Sequence, residues 1–150
     1  MTAYPDTSFL CSLYRRQEHT PTAISHRSQM VEPLHVSPLL EFEFRQAMRL
    51  QVWLHAQDKS KGYSQGEADQ MVADWETDIA AGQVVIVPAD MDAVLRMAEH
   101  LSQTHTRHTG NRTLDILHVA TAKHLSANVF LSFDDRQQKL AKAAGLDVPF

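Results

Sequence analysis

The sequence predicts an α/β protein: a three-layer α/β/α sandwich around a mainly parallel, roughly five-stranded sheet, with residues 1–150 as one domain. Three observations lead there. Short apolar runs rich in β-branched residues alternate with longer stretches of helical spacing along the whole chain. Acids stand in the turns between strand and helix, at Asp6 and at Asp134-Asp135. The chain, 150 residues with 43% hydrophobic and 21% charged content, has the length and composition of one globular domain.

In chain order, residues 2–5 form a very short strand ending at Pro5, and Phe9, Leu10, Leu13 and Tyr14 give the first helix, over 9–16. A short helix is expected within 19–32, where Ala23, Ile24 and Met30 are the only apolar anchors. Leu34-His-Val36 is the next strand. Ser37-Pro38 then marks a helix start, a serine cap with proline at the first helical position, and the helix runs to about Gln57. A polar loop over 58–66 closes with Ser64 and Glu67 at capping-box spacing. The helix behind it carries Met71, Val72, Trp75 and Ile79 inward and stops at Gly82. Val84-Val-Ile-Val87 is the clearest strand, and Asp90 or Asp92 opens a helix with Val94, Leu95, Met97, Ala98 and Leu101 inside. Thr104–Asn111 is polar, rich in histidine, and reads as a loop. Leu114–Leu125 is helical, with Thr113 as the expected cap. Val129-Phe-Leu131 is a buried strand, Gln137–Ala144 a helix stopped by Gly145, and Leu146–Phe150 an edge strand, since Pro149 lacks a donor.

Charge and cysteine content set limits. Fourteen basic against 18 acidic residues give a net charge of −4, so attraction to nucleic acid requires a local patch. Cys11 is the only cysteine, so no internal disulfide forms, which suits a reducing compartment. No signal peptide is read in Met1–Ser8, and no apolar run approaches the roughly 20 residues of a membrane span. The expectation is a soluble, cytoplasmic protein with no membrane partner.

Four acids occupy comparable positions: Asp6 and Asp134 at strand ends, Glu43 and Asp115 near helix starts. An acid in such a turn is commonly a helix cap, and Thr7 or Ser8 compete for that role at the first helix. Glu41 and Glu43 differ, since two residues turn a helix by roughly 200°. Glu41 can pair with Arg45 and reads as solvated. Glu43 has Leu39, Leu40 and Ala47 for neighbours, with Leu50 and Leu54 continuing its face, where an unpartnered carboxylate is costly to bury. Helices entered from the carboxyl edge of a parallel sheet bring their first turns to that edge, where ligands bind in open α/β sheets. Four acids converging there repel one another. A hard divalent cation relieves that repulsion, and carboxylates without thiolates suit Mg²⁺ or Mn²⁺, which can activate water and stabilise charge on a phosphoryl group.

Pro5-Asp-Thr-Ser-Phe-Leu10, Glu43-Phe-Arg-Gln-Ala47, Leu114-Asp-Ile-Leu-His-Val-Ala-Thr-Ala122 and Phe130-Leu-Ser-Phe-Asp-Asp-Arg-Gln137 resemble PIN-domain nucleases, specifically VapC-type toxin ribonucleases. The motifs follow family order over nearly the whole chain. The resemblance implies a Mg²⁺- or Mn²⁺-dependent endoribonuclease of a toxin–antitoxin pair that hydrolyses RNA phosphodiesters, is usually a homodimer and is restrained by a cognate antitoxin. By position, the family's acids fall on Asp6, Glu43, Asp115 and Asp134, and its hydroxyls on Thr7 or Ser8 and on Ser132. Two departures stand out. Pro5 removes a donor from a strand the family places centrally, so the first strand is expected to be short or to end at Tyr4. The Asp134-Asp135 doublet offers two choices for the fourth acid. Asp134 is preferred because it directly follows the strand, which leaves Asp135 to cap the helix or to support the ligands.

Around these, His118 lies one turn from Asp115 and is expected to hydrogen-bond that carboxylate rather than substrate. Arg112 and Arg136 flank proposed ligands and are the first choices for phosphate contacts. His105 and His108 read as surface histidines rather than a zinc pair. Trp53 and Trp75 read as core or dimer interface. The alternative function is a catalytically inactive PIN-like module that binds RNA or protein. A haloacid-type phosphatase fits less well, since it would want Asp-x-Asp where this chain has Asp6-Thr7-Ser8.

Overall fold

The computed structural model describes residues 2–150; Met1, the first residue of the amino-terminal stretch read above, lies outside the described residues. Four three-residue strands, β1 (Ala3–Pro5), β2 (Leu34–Val36), β3 (Val84–Ile86) and β4 (Val129–Leu131), form one sheet in the order β3-β2-β1-β4. Every pairing is parallel. The adjacent strands β1 and β4 are buried at all positions, as expected for strands covered on both faces.

Helices α1 (Thr7–Tyr14) and α2 (Thr20–Gln29) connect β1 to β2; α3 (Pro38–Gln57) and α4 (Gln65–Ala80) connect β2 to β3. From β3 the chain passes through α5 (Met91–Leu101), a π-helical segment Ser102–Thr106, the single turn α6 (Arg107–Thr109) and α7 (Thr113–His124) to reach β4, and α8 (Asp135–Ala143) follows. The steps β1→β2→β3 run one way across the sheet, while β3→β4 runs back past β1. Right-handed crossovers therefore place α1–α4 on one face and α5–α7 on the other. Packing agrees: α1, α3 and α4 contact one another, and α7 packs on α5 and α8. The direction of winding reverses between β1 and β4, and their carboxyl ends are the switch point where such sheets bind ligands.

Tyr4, Phe9, Leu10, Phe44, Trp75 and Phe130 are fully buried around the sheet, each contributing roughly 1.5–3 kcal/mol by leaving water. The expected caps at Ser37 and Ser64 form, the latter as a complete capping box, and Asp90 rather than Asp92 caps α5. Several expectations change. The terminal strand shrinks to a single bridge between Val129 and Asp147, so the sheet has four strands rather than five. The first strand is short and ends at Pro5, as read, with Pro5 opposite Leu131. The Asp6 N–H donates to Leu131 O, so the donor Pro5 lacks falls on the β2 side, where pairing is confined to Ala3 and Leu34. The polar stretch 104–111 is largely helical, ending at Gly110 in the left-handed region. Arg112, not Thr113, occupies the cap position of α7. Leu50, Leu95 and Leu114 are exposed, and Trp53, at 58% exposure, is not core, whereas Trp75 is. Among the described residues, no helix is long and apolar enough to cross a membrane.

The α3–α4 turn depends on Gly62, whose φ is +57° and where a Cβ would lie 2.0 Å from the Gln51 carbonyl oxygen. Gly110 shares the left-handed φ but has nothing within 4 Å. Gly110→Ala is expected to cost roughly 1–2 kcal/mol, and Gly62→Ala more than about 3 kcal/mol, as for severe point mutations. Urea unfolding of the two variants checks the difference.

Candidate metal centre

Asp6 leaves the end of β1 and caps α1. Its Oδ1 accepts from Phe9 N at 2.9 Å and from Ser8 Oγ at 2.6 Å, and its Oδ2 accepts from Ser132 Oγ at 2.5 Å. The residue is completely buried. Burial pushes its carboxyl up to about 6, against the opposing pull of the Ser132, Ser8 and Phe9 hydrogen bonds. Of the two hydroxyl candidates, Ser8 is the one on Asp6, whereas Thr7 serves Glu43.

The β4–α8 turn is sewn to α1 by the same serines. Ser8 Oγ accepts from Phe133 N at 2.8 Å, and Ser132 Oγ accepts from Asp134 N at 3.0 Å. Asp134, not Asp135, is the cap of α8: its Oδ1 accepts from Arg136 N and Gln137 N at 2.9 and 3.1 Å. Asp135 is instead the first helical residue and is exposed. The expected cap at Asp135 fails because Asp134 already holds the extended cap conformation one residue earlier. Both strand-end acids are thus caps and neighbours of the same serine hydroxyl.

Asp115 is buried in the first turn of α7, with 4% of its side chain exposed. It accepts from Arg112 Nε at 3.0 Å, from Arg112 Nη2 at 3.3 Å and from Arg112 N at 3.3 Å. The guanidinium, 59% exposed, also lies 3.7 Å from Asp134 Oδ2, so one cation spans the two acids at the rim.

Glu43 comes from the opposite face of the sheet, on α3. Its Oε2 accepts from Thr7 Oγ1 at 2.5 Å and is hydrogen-bonded by His118 Nε2. His118 therefore partners Glu43 and not Asp115, as had been expected: the imidazole is fully buried, while Asp115 is taken by Arg112. The other ring nitrogen, Nδ1, lies 3.4 Å from Tyr4 Oη, which is 2.8 Å from the Ser37 hydroxyl that caps α3. Burial works to raise the Glu43 carboxyl, but the His118 hydrogen bond and charge, with Thr7, overcome it and hold the acid below its ordinary value. Glu41 is no more solvated than Glu43, at 26% against 25% side-chain exposure. What separates them is company, since Glu41 faces Arg45 and the Trp75 indole N–H, outside the network.

At the carboxyl edge between β1 and β4, Ser132 and Arg112 chain Asp6, Asp134 and Asp115 together, and Glu43 is held beside them by Thr7, the residue after Asp6. They are not closed into a coordination shell: among the described residues, no three His, Cys, Asp or Glu side chains converge at metal-ligand spacing. The donor set suits a hard cation even so. It consists of oxygens alone, and Asp6 is enclosed without any salt bridge among the described residues. Arg136 is exposed in the turn, and Arg112 approaches it with Nη2 3.7 Å from Asp134 Oδ2. Tyr4 is the member that patterning missed. It stands two residues before Asp6, but in a strand an aromatic residue reads as core, and the hydroxyl left no separate trace.

The PIN-domain family model matches residues 3–143. Among solved structures, FitAcB from Neisseria gonorrhoeae superposes with a TM-score of 0.66 at 18% identity, covering 98% of this chain and 96% of that one. VapC20 from Mycobacterium tuberculosis, a sarcin-ricin loop cleaving toxin, gives 0.60 at 17% identity and 97% of each chain. VapBC2 from Rickettsia felis, bound to a DNA fragment from its promoter, gives 0.62 at 11% identity, covering 99% and 97%. At such identities these likenesses concern the fold. The comparison with curated proteins returns no match.

The buried Asp6 carboxyl generates a pH dependence. Its pKa rises on folding from the ordinary 3.8 to about 6, so ionisation favours the unfolded chain, and stability is lost as pH climbs through that window. In EDTA, Asp6→Asn should gain on the wild type between about pH 4 and 6 by roughly 2–3 kcal/mol and hold that gain above. Urea melts of both proteins across pH check this; a stability difference that does not change with pH contradicts it.

Proposed function

The chain belongs to the PIN-domain family, and from that premise we propose that residues 1–150 form one metal-dependent endoribonuclease domain, the toxin of a toxin–antitoxin pair acting in the cytoplasm. The observation that carries the proposal is Asp6: a fully buried carboxylate at the sheet's switch point, oriented by three donors and linked through the Ser132 hydroxyl to the Asp134 amide. These four acids would hold Mg²⁺ or Mn²⁺. When bound, such an ion activates water and stabilises charge on the scissile phosphate, which suits hydrolysis to 5′-phosphate and 3′-hydroxyl ends.

The chain's own residues prepare that site. Ser8 and Ser132 fix both oxygens of Asp6. The amides of Arg136 and Gln137 occupy Oδ1 of Asp134 and leave Oδ2 to face the Arg112 guanidinium at 3.7 Å. His118 and Thr7 keep Glu43 ionised and aimed. Arg112, exposed and already at the acids, and Arg136 beside them, supply positive charge for the RNA backbone in an otherwise acidic protein. That VapBC2 and FitAcB are complexes supports restraint by a cognate antitoxin. Exposed Phe42, Leu50 and Trp53 on α3, and Leu95 and Leu114 on α5 and α7, offer apolar surface for a homodimer or for that partner. The second reading, an inactive RNA- or protein-binding module, is favoured by one observation: Arg112 already neutralises Asp115 and Asp134.

Cleavage separates the two. Wild-type protein with Mn²⁺ should cut single-stranded RNA and arrest growth when expressed. Asp6→Asn and Asp115→Asn should abolish both while remaining folded, and Ser132→Ala should slow cleavage by about 10–100-fold as a supporting residue. Toxicity at wild-type strength in either acid variant contradicts the assignment.

A further inference from the structure

Beside the acids, the structure carries a run of near-parallel aromatic rings that no packing rule requires to reach the surface. Phe133 sits in the chain between Ser132 and Asp134, with its backbone N–H on Ser8. Its ring lies 4.8 Å from Phe150 at 20° and 5.9 Å from Phe9 at 18°, and Phe9 and Phe150 are themselves 6.0 Å apart at 8°. Phe9 is completely buried, so the pile is rooted in the core. Its outermost member is not a phenylalanine. His19, exposed at the start of α2, lies on Phe133 with 4.5 Å between centroids and 9° between planes.

Helix capping does not explain His19, whose side chain makes no capping hydrogen bond. Its placement instead holds a flat polar ring, fixed from beneath by Phe133, at the surface next to the turn that carries Ser132 and Asp134. Single-stranded nucleic acid is bound by such surfaces because every base has a π-face, and a pre-stacked ring loses little freedom when a base joins it. We propose that His19 is the outer step of a nucleobase-stacking platform, which takes an unpaired base of the RNA strand whose phosphate lies at the carboxylates. The proposal rests on the nuclease reading above and names a positioning residue for it.

The probe is a fluorescent single-stranded oligoadenylate, with copies carrying one abasic position at each site in turn. Affinity is measured with Ca²⁺ at fixed salt, and kcat and KM with Mn²⁺, for wild type, His19→Ala and His19→Phe. His19→Ala should bind about tenfold more weakly, with the loss in KM rather than kcat and the melting midpoint unchanged, since the residue is exposed. His19→Phe should restore affinity to within about threefold, because stacking needs a ring and not a charge. One abasic position should remove the difference between wild type and His19→Ala. Equal affinity of wild type and His19→Ala, or failure of phenylalanine to restore it, overturns the platform. Normal cleavage with an unchanged KM in His19→Ala overturns the platform alone. Binding that depends on His19 without cleavage under any divalent ion upholds the platform and overturns the nuclease.

Discussion

A carboxylate that water cannot reach must find its stabilisation in the protein, and Asp6, fully buried between β1 and β4, finds it in two serine hydroxyls and one helix N–H. Those bonds tie together segments over a hundred residues apart in sequence. Ser8 lies on α1 and reaches Phe133, while Ser132 follows β4 and holds the Asp134 amide. The turn after β1 and the turn after β4 are therefore a single unit. The other acids enter that unit by short links, Glu43 through Thr7 and Asp134 through Ser132.

Charge is arranged in two tiers. Inside, Glu43 meets the buried His118, and Asp6 meets neutral donors alone. Outside, Arg112 clasps Asp115 and reaches Asp134 with more than half its side chain in solvent. The reach to Asp134, 3.7 Å away at the solvent side, is a loose contact that contributes little to folding, whereas Asp115 is buried and depends on the guanidinium for its partner. The guanidinium thus has one buried partner and one at the solvent edge, and it is the contact with Asp134 that is cheap to exchange.

Much of this was legible in the sequence, because the strands are short and mostly apolar, β3 being wholly β-branched, and each main helix announces itself by cap or stripe. Ser37-Pro38 and Ser64-Glu67 set helix starts to the residue. The choice of Glu43 over Glu41 came from helix rotation, and the structure gives Glu43 the contact with His118 and Thr7. What escaped was set by tertiary contact. Nothing local tells His118 to turn to a glutamate on α3 rather than to Asp115 one turn away. The 102–109 segment is polar throughout and shows no stripe, although its backbone is helical. Local pattern also cannot tell which of two adjacent aspartates caps a helix. The aromatic pile was invisible because its members, at 9, 19, 133 and 150, share no spacing.

The centre of the account is that four acids from both faces of the sheet act as one cation site. Titrating Mn²⁺ into the protein and its Asp6→Asn, Glu43→Gln, Asp115→Asn and Asp134→Asn variants, with free ion read by electron paramagnetic resonance, tests this directly. The account predicts saturable, stoichiometric binding by the wild type that each substitution weakens, Asp6→Asn among them despite its burial. Absence of binding by the folded wild type, or binding indifferent to Asp6 and Glu43, contradicts it.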